Sequence, residues 1–293
     1  MSITFTNEPK LSPHEVDRSR NESRITIVAG LTDFVENNTH FKGKDVCVTF
    51  AQDGVSSLVM ILDARGEKYV LKTPLITGRG DLEPLFLRTW EAVGVLVPHI
   101  FEEGKLGEYP YALMNYIDAP LLKNLYGSRE ALLEKGMYKE MGRVMQRMHV
   151  PRAYGYGIPR EGKVEYNTFG EWLSDGYLDN RIAYGKENGL FQNMQLPHKA
   201  VELLKGAYGN ETKSAYCHND FDACNIFGTE PITVFDPNPS FNHPYLDLGT
   251  AITTGTSLLG TSEVSRQLKE GYFQVTRNVM TNFLLRQLLL RRV

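Results

Sequence analysis

The sequence predicts an α+β chain of two lobes, an antiparallel sheet with one helix followed by a mainly helical lobe. Three observations carry this expectation. Between residues 45 and 117, apolar and β-branched runs of strand length alternate with short polar turns. Past Asp118-Ala119-Pro120 the apolar spacing changes from that of strands to that of helices. One compact stretch, Ala215 to Phe235, interrupts the helical part with two short apolar strands that flank polar residues. The division falls near residue 116, giving lobes of residues 1–116 and 117–293.

The first 40 residues are polar, with helical spacing through Ile25, Val28, Leu31 and Phe34. Asp45 to Phe50, Leu58 to Asp63 and Lys68 to Lys72 read as a three-strand meander. The turns lie at Ala51–Ser57 and Ala64–Glu67. A helix follows, capped by Asp81, with Pro84 in its first turn and Leu82, Phe86, Trp90 and Val93 on one face. Val95–Ile100 and Tyr111–Ile117 read as two more strands around the turn Glu103-Gly104-Lys105, making about five in all. Beyond them, Leu133, Met137, Met141, Val144, Met145 and Met148 form one helical stripe ending at His149, a packing surface. The run Phe283–Leu290 reads as a packed terminal helix.

Composition narrows the function classes. Of 293 residues, 42% are hydrophobic and 23% charged, which excludes disordered and fibrous chains. A net charge of −3 argues against nucleic acid as a partner. Only three cysteines, Cys47, Cys217 and Cys224, give no disulfide framework and suit a reducing compartment. No signal-peptide core and no membrane-length apolar run stands out, so the expectation is a cytoplasmic protein without membrane contacts. Cys217 and Cys224 read as small packing residues.

The chemistry is concentrated in Cys217-His218-Asn219-Asp220-Phe221-Asp222-Ala223-Cys224-Asn225 and the strand Ile232–Phe235 that ends at Asp236. A turn between two strand ends brings Asp220, Asn225 and Asp236 toward one point. Two carboxylates and an amide oxygen are hard ligands, suited to Mg²⁺ rather than zinc. Magnesium keeps few protein ligands when phosphates complete its shell, and a neighbouring acid can then orient a hydroxyl and take its proton.

His218-x-Asp220-x-x-x-x-Asn225 followed by Asp236 resembles the catalytic loop and metal aspartate of the aminoglycoside phosphotransferase and choline kinase family, within the protein-kinase-like fold. Other segments resemble the same family in the same order. Val70-Leu71-Lys72 is similar to its phosphate-lysine strand and Gly94–Ile100 to its Gly-Val-Pro-Val-Pro segment. Ala112–Ile117 resembles its hinge, Met141–His149 its helix ending in Leu-His, and Tyr245–Gly249 its Tyr-Asp-Leu-Ala. The resemblance spans roughly residues 45 to 250.

It implies ATP or GTP as donor, Mg²⁺ as cofactor and transfer of the γ-phosphate to a hydroxyl of a small molecule. By the same resemblance, Asp220 is the catalytic base, and Asn225 and Asp236 hold the metal. Lys72 meets phosphate, with Glu83 as its ion-pair partner and Glu91 as the competitor on the same helix. Gly54, Ser56 and Ser57 cover the phosphates, and Met114, Asn115 and Tyr116 meet the base edge through backbone groups. His218 and Asp247 brace the loop. Two positions depart from the family. Asn219 replaces a glycine, and asparagine tolerates a left-handed backbone. Asp222 stands where many members have histidine; it either adds charge near the metal or faces solvent.

Only ten residues separate Asp236 from Asp247, three of them proline, too short a segment for peptide docking. The expected acceptor is therefore a small hydroxyl compound, amine-bearing if Glu171, Asp175 and Asp179 meet it; these three equally suit a solvated helix face. A protein kinase and a nucleotide-binding pseudokinase are the alternatives.

Overall fold

The computed structural model describes residues 2–12, 14, 17–52, 56–75, 82–160, 163–174, 186–187, 195–255 and 261–273. Gly54, Asp81, Asp175, Asp179 and the run 283–290 lie outside them. The chain forms two compact units, residues 1–88 with 97–118 and residues 89–96 with 119–293. Among the described residues, no helix is long and apolar enough to cross a membrane.

The first unit is built on a six-stranded sheet. Its strands are β1 (Ile3–Phe5), β2 (Val46–Phe50), β3 (Ser57–Ala64), β4 (Glu67–Pro74), β5 (Ile100–Leu106) and β6 (Tyr109–Asn115). They lie in the order β1-β2-β3-β4-β6-β5, antiparallel except for the parallel β1–β2 pair. Strict alternation of half-buried and buried residues along β3 shows one face turned to a core. Helix α1 (Arg18–Asn37) covers that face, placing Ile27, Leu31 and Val35 with Met60, Leu62, Leu71 and Leu113. The helix is where its spacing predicts, but the stripe is rotated: Ile25 is 59% exposed and Ile27 is buried. A fixed 3.6-residue period allows several neighbouring stripes, and only the sheet selects one.

The last two strands differ from expectation. Residues 95–99 are irregular, and β5 begins at Ile100 and runs through the expected turn at Glu103–Lys105. The chain reverses instead at Gly107, whose φ is +64°. Gly104 stays in the strand because it pairs with Tyr111, whose hydroxyl lies 2.7 Å from where a Cβ would stand.

Helix α2 (Glu83–Glu91) gives its first six residues to the first unit and its last three to the second. The second unit continues with α3 (Leu122–Tyr126), α4 (Arg129–Glu134), α5 (Met137–Met148), β7 (Arg152–Tyr154), α6 (Phe169–Ser174), α7 (Gln195–Tyr208) and β8 (Lys213–Cys217). The short strands β9 (Ile226–Phe227), β10 (Thr233–Val234) and β11 (Ser240–Asn242) precede α8 (Pro244–Gly255) and α9 (Thr261–Phe273). The Met-rich stripe is core, with Met141, Val144, Met145 and Met148 buried. It does not extend back to Leu133 as one helix, because Gly136, at φ +68°, separates α4 from α5. Residues 89–96 join this unit through Trp90, stacked on His218, and through the Leu96 carbonyl, which accepts from Val234 N–H.

Candidate functional site

In the first unit Lys72 lies on the central strand β4, opposite Val59 and Ala112. Its Nζ is 2.6 Å from Glu83 Oε2, with the two side chains 10% and 13% exposed. Glu83 opens α2, where its negative charge suits the helix N-terminus and the following Pro84 lacks an N–H the helix would not use. Glu91, at the other end of the helix, is exposed. Of the two candidates, Glu83 is therefore the one that pairs with Lys72. A pocket of about 300 Å³ adjoins this pair, lined also by Pro74, Glu103, Lys105 and Tyr111.

Met114 and Asn115 are ladder residues of β6, paired with Val70 and Tyr69 of β4. Asn115 N–H donates to the His99 carbonyl, and its Oδ1 accepts from His99 N–H at 2.6 Å. Tyr116 N–H donates to the Lys68 carbonyl at 3.4 Å, and Lys68 Nζ sits 5.3 Å above the Tyr116 ring. The N–H groups of Asn115 and Tyr116 are thus already engaged within the unit. Ser57 opens β3, and the Ser56 carbonyl accepts from Leu75 N–H.

In the second unit the chain leaves β8 at Cys217 and turns at Asn219, whose φ is +57°, the left-handed conformation its residue type permits. The Asn219 amide donates to the carbonyls of Cys217 and Asn238 and to Ser240 Oγ, at 3.1, 2.8 and 3.0 Å. Asp247, fully buried on α8, takes the His218 N–H on Oδ2 and the Asn219 N–H on Oδ1, each at 2.8 Å. His149 Nε2 lies 3.0 Å from the same Oδ2. Burial alone would raise the Asp247 pKa. The hydrogen bond from His149 and the contacts with His149 and His218 outweigh it and hold the carboxyl below its ordinary value.

His218 is buried and stacks on Trp90 with ring centroids 5.8 Å apart. Its Nε2 lies 3.0 Å from the Phe235 carbonyl, and its Nδ1 accepts from Asp220 N–H at 3.3 Å. Burial lowers its pKa. Neutral imidazole with the proton on Nε2 satisfies both bonds, so both ring nitrogens are engaged within the turn.

Asp220 itself is exposed. Asn225 Nδ2 donates to its Oδ2 at 2.9 Å and to its carbonyl at 2.8 Å. Phe235 N–H donates to the Asn225 carbonyl at 3.2 Å, which sets Asn225 beside the residue preceding Asp236. Asp236 has a left-handed φ of +54°. Asp220, Asn225 and Asp236 supply two carboxylates and an amide oxygen, the hard donor types that suit Mg²⁺.

Asp222 is half-buried and caps the single turn Ala223–Asn225, accepting from Cys224 N–H. Cys217 is fully buried, and burial pushes its thiol up. Cys224 is exposed, against the expectation that both cysteines are packing residues. Glu171 closes a capping box on α6, accepting from Asn167 and Thr168 N–H while its own N–H donates to Thr168 Oγ1. Sequence reasoning assigned no role to His149, Trp90 or Tyr272. His149 carried a signal, as a lone histidine on an apolar helix that must find a buried partner; Tyr272 carried none.

Among solved structures the chain is similar to the aminoglycoside phosphotransferase APH(4)-Ia in ternary complex with ADP and hygromycin B. The TM-score is 0.59 at 16% identity over 83% of each chain. It is similar to a choline/ethanolamine kinase family protein from Mesorhizobium loti, with a TM-score of 0.58 at 16% identity over 89% of this chain and 81% of that one. It is also similar to the spectinomycin phosphotransferase APH(9)-Ia in complex with ADP and spectinomycin, with a TM-score of 0.53 at 17% identity over 87% of this chain and 83% of that one. No protein-family model matches the sequence. No curated protein matches it by sequence. The chain therefore has the kinase-like α+β fold of the aminoglycoside phosphotransferase and choline kinase structures.

Proposed function

We propose that the protein is a small-molecule kinase that transfers the γ-phosphate of ATP or GTP to a substrate hydroxyl, as a member of the aminoglycoside phosphotransferase and choline kinase family. The observation that carries this reading is the loop itself. Asp220 is exposed and pinned by Asn225, on a turn held from beneath by a buried aspartate. A structural turn has no need of an exposed carboxylate fixed in this way; a base that must meet a hydroxyl does.

The roles follow from the chemistry of each group. Asp220 accepts a hydrogen bond from the acceptor hydroxyl, aims it, and takes its proton as the new bond to phosphorus forms. Asn225, through its amide oxygen, and Asp236 hold Mg²⁺ together with nucleotide phosphate oxygens. Bound there, the metal neutralises charge on the phosphates. Lys72 supplies further positive charge to the phosphates, and Glu83 keeps its ammonium in one orientation. Ser56 and Ser57 cover the phosphates, while the strand end at Met114–Tyr116 offers the base backbone groups other than the engaged N–H groups of Asn115 and Tyr116. The similar proteins bind hygromycin B and spectinomycin, both polyhydroxyl compounds with amines, which supports an acceptor of that class.

The test is consumption of ATP and GTP with Mg²⁺ across aminoglycosides, choline, amino alcohols and sugars, with Asp220→Ala as the blank. Turnover that needs both an acceptor and Asp220 is the expected result. Nucleotide binding without Asp220-dependent turnover on any hydroxyl compound overturns the reading in favour of a non-catalytic nucleotide binder.

A further inference from the structure

We propose that Tyr272, at the end of α9, is a positioning residue for the catalytic loop, acting through His149 and Asp247. The proposal rests on the kinase reading above and concerns a helix that the family's motifs do not include.

Helices α5 and α9 are locked by glycines. A Cβ on Gly142 would run into the Leu268 carbonyl oxygen, and one on Gly271 into the Lys139 carbonyl oxygen. The two backbones therefore lie closer than any side chain would allow. That approach carries Tyr272, the residue after Gly271, to the C-terminal end of α5, where its hydroxyl lies 2.8 Å from His149 Nδ1.

The direction of each hydrogen bond is fixed by counting donors. Asp247 is an acceptor-only carboxylate that already receives the His218 and Asn219 amides, so His149 Nε2 must bring a proton to it. A His149 ring that carries its one proton on Nε2 has a bare Nδ1, which needs a donor. Tyr272 is 7% exposed and, among the described residues, its hydroxyl has no other hydrogen-bond partner, so it donates there. Burial raises the Tyr272 pKa and keeps that O–H intact at neutral pH. Cys217, the other polar group beside this cluster, does not compete, since its thiol is directed to the Asn242 carbonyl.

The chain of donors runs Tyr272 to His149 to Asp247, and Asp247 holds the two peptide groups immediately before Asp220. Asp247 favours the Nε2–H form from one side of the ring and the Tyr272 phenol from the other; without the phenol a buried bare Nδ1 has no donor, and the tautomer with its proton on Nδ1 competes. That tautomer gives Asp247 a bare nitrogen in place of a donor.

The experiment is Tyr272→Phe, which keeps the ring and removes one oxygen. The expected result is turnover about tenfold lower, with nucleotide KM within about twofold of the parent. A purely structural role would not divide kcat from KM in this way. In parallel, ¹⁵N NMR of the His149 ring in nucleotide-free protein should show the Nε2–H form in the parent. In Tyr272→Phe, that form should be depleted and the Asp220 amide signal moved. Parent-like turnover with parent-like ring signals in the variant overturns the proposal. So does an Nδ1–H ring in the parent, which needs no variant to fold. If the parent shows no Asp220-dependent turnover at all, the kinase reading fails, and the ring and amide signals alone decide whether Tyr272 sets the loop.

Discussion

Lys72 and Asp220 are positioned by different means. Lys72 is held through its side chain, by an ion pair to Glu83 at the first residue of a helix, with both side chains largely out of water. Asp220 is held by its backbone. The peptide groups before it bond to a buried carboxylate, its own N–H bonds to a buried imidazole, and its side chain bonds to Asn225. A lysine on a four-carbon stem tolerates adjustment as it follows phosphate oxygens, whereas a base must meet one proton within hydrogen-bond reach. In the proposed reaction, the group with the stricter geometric task is the one fixed through its backbone, and the group with the looser task is the one fixed through the end of its side chain.

This contrast can be broken at several points. The largest effect is expected from Asp220→Ala: phosphoryl transfer should fall by a factor of about 10² to 10⁴, while nucleotide affinity, read by calorimetry, stays near that of the parent. A variant that retains full turnover would remove Asp220 from the reaction. Asp247→Ala should come next. It strands the His218 and Asn219 amides and the His149 ring nitrogen, and denaturant titration should show about 3–5 kcal/mol of lost stability.

Acid should loosen the second unit before the first. Unfolded histidines take a proton near pH 6.5, but burial lowers the pKa of His218 and brings that of His243 to about 4. Below pH 6.5 the unfolded chain therefore binds more protons than the folded one. Stability should decline as pH falls from 6.5 towards 4, with His243 contributing about 1.4 kcal/mol per pH unit and His218 adding in the same direction. His243→Gln should flatten that slope in urea titrations run across the window. An unchanged slope would show that His243 already titrates normally in the fold.

The smallest effect sharpens the other side of the comparison. Glu83→Gln should raise nucleotide KM by about tenfold, since it leaves the Lys72 ammonium with a weaker, neutral partner. Glu91→Gln, on an exposed face of the same helix, should leave KM unchanged. Equal effects from the two variants would contradict the pairing.

Much of this was legible in the residues. The order and spacing of Lys72, His218, Asp220, Asn225, Asp236 and Asp247 gave the candidate site, because a loop between two short strands constrains which residues can meet. The left-handed turn at Asn219 followed from its residue type. The meander β2–β3–β4 followed from alternation and turn chemistry. Less was legible where one pattern serves two outcomes. Val95–Ile100 has strand composition, yet residues 95–99 are irregular, tied by the Leu96 carbonyl to Val234. The parallel edge strand β1 lies in a stretch with no strand signal and is secured by Ser2 on Asp45.

By itself the sequence determined which residues have the chemistry: hard-oxygen ligands at fixed intervals, a lysine on a central strand, and turns that only certain residues allow. Local geometry enforces such features within a few residues, so they are written in the order of the chain. The tertiary structure alone decided which partner each group takes. It chose Glu83 over Glu91 for Lys72, turned Asp222 and Glu171 into caps, rotated the apolar stripe of α1 onto Ile27, and brought Tyr272 to His149. The physical reason is that burial leaves a polar group no water to bond, so its partner is whichever group long-range packing carries within reach.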